Sequence, residues 1–291
     1  MGSRKALSAL AAVAGLSAGC PSLSGLTVGA DASAAADGSS PVDASSGAGD
    51  ADATAATDGS SCANSYRAAI MADSPIAMFP LDEPPGQAEC ANVVAGSTIG
   101  CSYSASGLTL GVAGISPCDA AIHFDAMAAT VQLDGDLDFA GDVPFTIEAW
   151  VKIDAGADGG YPYTDLANAS IPPELNGYYI LTNEPGVMGL RSEVWRDSTL
   201  VMISQLSQAP PLGEFAYIAL VHGADHLDHM FLDAVGGGDD QLVLDASNGD
   251  RPTTGAPLFW TGFVGSLADV AIYDSALTSA QLSAHYLARS P

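Results

Sequence analysis

The sequence predicts an all-β fold, a two-sheet antiparallel β-sandwich of the jelly-roll kind, with a short C-terminal helix and a disordered N-terminal tether. Three observations carry this. From Tyr66 onward, short apolar stretches alternate with turn signals, which is how sandwiches read in sequence. No helical period of any length appears before the last dozen residues. The part of the chain with this texture runs to about 225 residues, which suits one large sandwich.

Residues 1–19 read as an export signal. Arg4 and Lys5 form a charged start, an apolar stretch follows, and Ser17, Ala18 and Gly19 are the small residues that precede a cut. The apolar run is far short of the ~20 residues that span a bilayer. It ends in LSAGC, as bacterial lipoprotein signals do, so Cys20 is the expected lipid attachment point; Ser17 stands where such signals usually carry Leu. Residues 20–61 are dominated by Ala, Gly, Ser, Thr and Asp, without Lys, Arg or aromatics. Such a composition buries too little apolar surface to offset ordering entropy, and it predicts a tether with a mean span of roughly 35 Å. The globular domain is expected over residues 62–291.

The formal net charge is −26. Nucleic acid and anionic lipid surfaces repel such a chain, so membrane contact is expected only through the lipid anchor. If Cys20 carries lipid, Cys62, Cys90, Cys101 and Cys118 remain, an even number for an oxidising compartment. Three pairings exist. The nested one, Cys90–Cys101 inside Cys62–Cys118, is favoured, and the short inner loop is worth roughly 3 kcal/mol in the chain-entropy view.

The clearest strand is Phe145 to Ile153, FTIEAWVKI. Phe145, Ile147, Ala149, Val151 and Ile153 share one face; Thr146, Glu148, Trp150 and Lys152 share the other. Residues 215–221, FAYIALV, are apolar on both faces and read as a central strand. Residues 227–232 and 241–244 read as its neighbours, separated by the glycines at 236–238. Residues 262–286, GFVGSLADVAIYDSALTSAQLSAHY, run a turn, a strand, a corner and a helix. Val270 and Ile272 face one way, Ala271 and Tyr273 the other. Thr278 and Gln281 have capping-box spacing, and Leu277 and Leu282 can close a hydrophobic staple over the helix start.

These segments resemble the laminin-G-like domains of the concanavalin A-like lectin/glucanase superfamily. The ending is similar to the close of those domains. SYRAAIMADSPIAMFPLDEPPG (65–86) is similar to their opening, a short helix into a strand, and residues 213–235 to their strand–turn–strand hairpin. There are two departures: Phe215 replaces a usual Trp, and Ala234 follows Asp233 where Gly is usual. The resemblance implies the jelly roll and a non-catalytic module that binds glycan or a surface protein.

Chemistry has few footholds. His222, His226 and His229 lie close to Asp225 and Asp228, but a hairpin here would scatter them and leave exposed histidines. Asp134, Asp136 and Asp138 have calcium-loop spacing, yet Phe139 and Phe145 stand where an EF-hand needs Gly and Glu. No cofactor is expected beyond a structural calcium, with Asp134 and Asp136, or Asp82, Glu83 and Asp269, as its candidate ligands. A glycosidase needs two carboxylates across a cleft, and Glu148 stands alone on its strand as a polar sheet-face residue. Aromatics in or near expected loops could form a sugar platform: Trp195, Trp260, Tyr178 and Tyr179, with Tyr161 and Tyr163 nearby. The expected function is binding or adhesion outside the cytoplasm, at the outer membrane or cell surface or after secretion. The alternatives are a carbohydrate-active enzyme on the same fold and a structural envelope protein.

Overall fold

A computed structural model describes residues 60–116, 119–135, 137, 139, 143–154, 164–168, 177–182, 189–236, 240–243 and 257–289. The expected signal, Cys20 and most of the tether lie outside these residues.

Helix α1 (Ser60–Ala72) leads into β1 (Ala77–Phe79), β2 (Gly100–Tyr103), β3 (Leu108–Ala113), β4 (Ala120–Phe124), β5 (Val131–Asp134) and β6 (Phe145–Ile153). Then come β7 (Thr164–Asn168), β8 (Gly177–Thr182), β9 (Leu190–Arg196), β10 (Thr199–Gln205), β11 (Phe215–His222) and β12 (Asp228–Leu232). The chain continues through β13 (Val235–Gly236), β14 (Asp240–Val243), β15 (Leu258–Trp260) and β16 (Gly265–Tyr273) to α2 (Ser279–Arg289). The strands form two antiparallel sheets. The first has the order β13-β12-β11-β6-β16-β4-β3, with β1 also on β16; the second has the order β14-β10-β9-β8-β7-β15-β5-β2. Among the described residues, no helix is long and apolar enough to cross a membrane.

The alternation of β6 decides the layering. Phe145, Ile147, Ala149, Val151 and Ile153 enter the core between the sheets, together with Val270 and Ile272 of β16. Trp150 faces the other way, into a second apolar cluster with Ala271, Tyr273 and Leu282. This second cluster lies between the first sheet and the two helices, so that sheet is covered on both faces. The capping box forms as spaced: the Thr278 N–H donates to Gln281 Oε1 at 2.9 Å, and the Gln281 N–H to Thr278 Oγ1 at 3.3 Å. Leu277 and Leu282 are both buried.

Two expectations change. The segment at 241–244 is not a neighbour of β11: β14 pairs with β10 in the second sheet. The hairpin histidines are not all exposed. His222 is fully buried between the sheets, where Asp228 Oδ1 lies 3.0 Å from its Nδ1 and Asp228 Oδ2 accepts from Ser192 Oγ. His229 Nε2 pairs with Asp225 Oδ2 at 2.8 Å, and His226 sits in the turn at φ 64°.

Candidate functional site

Of the four nominated aromatics, the structure sends two inward. Trp260 ends the three-residue strand β15 and is 0% exposed; Tyr178 is 3% exposed, with its ring 5.4 Å from that of Phe145. Both are core residues, which corrects their expected place in a sugar platform. Tyr179, one step along β8, and Trp195 on β9 face outward and are half-buried. Tyr179 lies opposite Glu193 in the β8–β9 register, and the Trp195 indole N–H donates to Glu193 Oε2 at 2.7 Å. The Arg191–Glu193 ion pair beside them is almost wholly buried. Tyr161 and Tyr163 fall outside the described residues.

The expected calcium ligands do not converge. Asp82 pairs with Arg67 at 3.6 Å. Glu83 uses both oxygens, Oε1 accepting the Ala91 N–H at 2.6 Å and Oε2 the Tyr103 phenol at 2.5 Å. Asp269 occupies the β16 bulge at φ 50°, is buried, and pairs with Arg289. Asp134 is exposed and accepts from Gln132 Nε2; Asp136 lies outside the described residues. Among the described residues, no group of three His, Cys, Asp or Glu is placed to hold a metal ion. In the Asp82–Glu83–Asp269 cluster each carboxylate has a protein partner.

A concave site does form at the open edge of the sandwich, where β2 ends the second sheet and β3 the first. The groove has a volume of about 560 Å³ and runs between residues 85–88 on one wall and 108–110 on the other, with Tyr103, Ser104 and Ala105 beside them. Sequence reasoning passed over it because its residues come from three short segments without strong periodicity. The disulfide is its brace. Cys90 and Cys101 are bonded as expected, with Cα atoms 5.2 Å apart. The Tyr103 N–H donates to Ala88 O at 2.9 Å, and Glu89 bridges Ser102. Cys62 falls in the first turns of α1, and Cys118, with the second expected pairing, lies outside the described residues. Gly111 holds φ 73° in a bulge of β3 beside Pro85, a left-handed conformation that glycine adopts without a Cβ penalty. Burial first, and then Glu83, push the Tyr103 phenol well above its ordinary pKa, so it stays neutral and donates.

A second polar cluster lies under the helices. Glu148 is fully buried on the outer face of the first sheet. It accepts hydrogen bonds from the phenols of Tyr217 and Tyr273, and its Oε2 lies 3.1 Å from His285 Nδ1. Ala219 and Ala271 flank it in register, and their small side chains leave room for the carboxylate. It is a sheet-face residue, as read, but a buried and fully engaged one. A sequence signal existed: Tyr-Ile-Ala at 217–219 and Ala-Ile-Tyr at 271–273 mirror each other on the two strands beside Glu148.

The family profile described as concanavalin A-like lectin/glucanases superfamily matches residues 125–283. The chain belongs to this superfamily. Solved structures with the concanavalin A-like fold include a Trypanosoma rangeli sialidase in complex with sialic acid. It is 11% identical at TM-score 0.52, and the match covers 73% of this chain and 32% of the sialidase. The botulinum neurotoxin serotype D binding domain is 9% identical at TM-score 0.55, covering 75% of this chain and 52% of that one. The match spans about a third of one structure and half of the other, and identities this low show the fold alone. A comparison with curated proteins finds no match. The concanavalin A-like fold thus occurs in a sialidase chain and in a toxin binding domain, and both binding and enzymatic roles are open to it.

Proposed function

We propose that this superfamily member is a non-catalytic module that binds neutral glycan in the edge groove, displayed outside the cytoplasm. One observation carries the reading: in a chain of net charge −26, the described groove lining has no charged side chain. It offers a phenol ring, an amide (Gln87) and hydroxyls (Ser104, Thr109), with apolar Leu108 and Leu110. A flat ring suits the CH-rich face of a pyranose, and neutral donors and acceptors suit its hydroxyls. The brace behind Tyr103 limits the ordering cost of binding.

Catalysis is disfavoured because glycoside hydrolysis needs two carboxylates across a cleft, and Glu148 is buried among three partners of its own. Display outside the cytoplasm, through lipid on Cys20, rests on the signal-like start and the disulfide. A glycan array of neutral and acidic oligosaccharides, read for wild type and Tyr103→Ala, tests the proposal. Neutral glycans should bind, and the variant should lose about 1–3 kcal/mol of affinity, by analogy with base stacking on aromatic platforms. Release of reducing sugar would favour an enzyme instead. Binding that survives Tyr103→Ala would move the site elsewhere, to Trp195 and Tyr179 first. No binding to any glycan would leave a surface-protein ligand or a structural envelope role.

A further inference from the structure

His285 on α2 is completely buried. Its Nδ1 lies 3.1 Å from Glu148 Oε2 on β6, and its Nε2 lies 2.9 Å from Asp73 Oδ2, just past the end of α1. A neutral imidazole has one N–H and one lone pair, so one of these contacts would set a lone pair against a carboxylate oxygen. Only the imidazolium donates to both. The other Asp73 oxygen accepts from Gln281 Nε2 at 2.9 Å, so α1, α2 and the sheet meet at this ring.

We propose that the α1–α2 pair is a proton-held clasp: imidazolium His285, gripped by Glu148 and Asp73, fastens α2 to the first sheet, and alkaline loss of its proton loosens α2 while the sandwich beneath stays folded.

The surroundings make the ring the group that responds. Around the cluster, β11 contributes Tyr217, and β16 contributes Tyr273, stacked 6.2 Å from the imidazole, and Asp269. Helix α1 contributes Tyr66 and the residue after its end is Asp73, and α2 contributes Arg289, which is taken up by Asp119 and Asp269. Burial, and after it the charge of Glu148, push the Tyr66, Tyr217 and Tyr273 phenols well up, so they stay neutral as pH rises. For His285, burial works against the charged form, but hydrogen bonds and charge from Glu148 and Asp73 outweigh it and hold the pKa above the ordinary value. The imidazolium therefore persists to higher pH than that of an ordinary histidine and is lost as pH rises through this raised pKa.

The test is hydrogen exchange of the full chain between pH 6 and 10, corrected for intrinsic rates, with nitrogen NMR of the His285 ring. At pH 7 both ring nitrogens should be protonated. As pH rises from the ordinary histidine value of about 6.5 to the raised folded pKa, residues 279–289 should exchange up to about tenfold faster for each pH unit, levelling off once the ring has lost its proton, while β6 and β11 hold. Asp73→Asn, at a partly exposed position, should move this release to lower pH; His285→Gln should abolish the pH step. A neutral ring at pH 7, helix and strands opening together at every pH, or no shift with Asp73→Asn would each overturn the clasp.

Discussion

Replacing Glu148 with alanine should cost the domain about 3–5 kcal/mol, the range for removing one partner from a buried charged pair. Tyr217, Tyr273 and His285 all direct polar atoms at Glu148, and all three are 0% exposed. Without the carboxylate, two phenol donors are stranded at about 1–3 kcal/mol each. His285 then keeps only Asp73 and can shed its proton, which limits the total. Urea denaturation followed by tryptophan fluorescence measures the loss as a lower midpoint at unchanged slope. Repeating the assay at higher pH adds a second reading. The folded His285 pKa is raised, so its contribution is complete below the ordinary histidine value of about 6.5 and is lost as pH rises through the folded pKa. Wild type should therefore weaken over that interval, by at most about 1.4 kcal/mol per pH unit, and Glu148→Ala should flatten the dependence. A cost below about 1 kcal/mol would show that water reaches the carboxylate, and the account of a dry network would fail.

Three further outcomes are expected. Cys90→Ser with Cys101→Ser should lower stability by roughly 3 kcal/mol, since the bridge closes a short loop, and should weaken any ligand held by Tyr103; an unchanged midpoint would mean that the groove is rigid without its brace. Trp260→Ala should cost about 3–5 kcal/mol as a buried-ring deletion, whereas half-buried Trp195→Ala should cost clearly less, and equal losses in thermal melts would contradict the inward–outward assignment. Ala234→Gly should stabilise by about 1 kcal/mol, because Ala234 holds φ 58° in the two-residue turn between β12 and β13, a conformation that Gly adopts without a Cβ penalty; a lower midpoint would show that the methyl packs usefully.

The fold was legible wherever the chain alternates cleanly over a long strand. The two faces of β6, the turn of β16 into α2 and the capping box follow from spacing alone, because side-chain period and capping are local properties. The two apolar faces of β11 matched a central strand, with the helices supplying the second cover. The sites were less legible for two reasons. Trp260 lies in a three-residue strand, too short to show a period, and the phase of Tyr178 against Tyr179 depends on which side of the second sheet is the core. The partners of Glu148 come from 69, 125 and 137 residues away, so no local window contains them. The groove has the same difficulty, being assembled from loop 85–88 and two sheet edges that meet only in three dimensions.

The antiparallel helix pair has a mechanical consequence. Ser65 Oγ donates to the carbonyl of Ala288 at 3.2 Å, and Arg289 lies over the Tyr66 ring at 5.1 Å, so the domain's two ends leave it side by side. Tension applied through those ends does not run the length of the strands. It enters and leaves at the helix pair, and the sandwich hangs from that point as a pendant. Load of this kind peels contacts one after another instead of shearing a whole ladder at once, so α1 and α2 would part before any strand is pulled from a sheet.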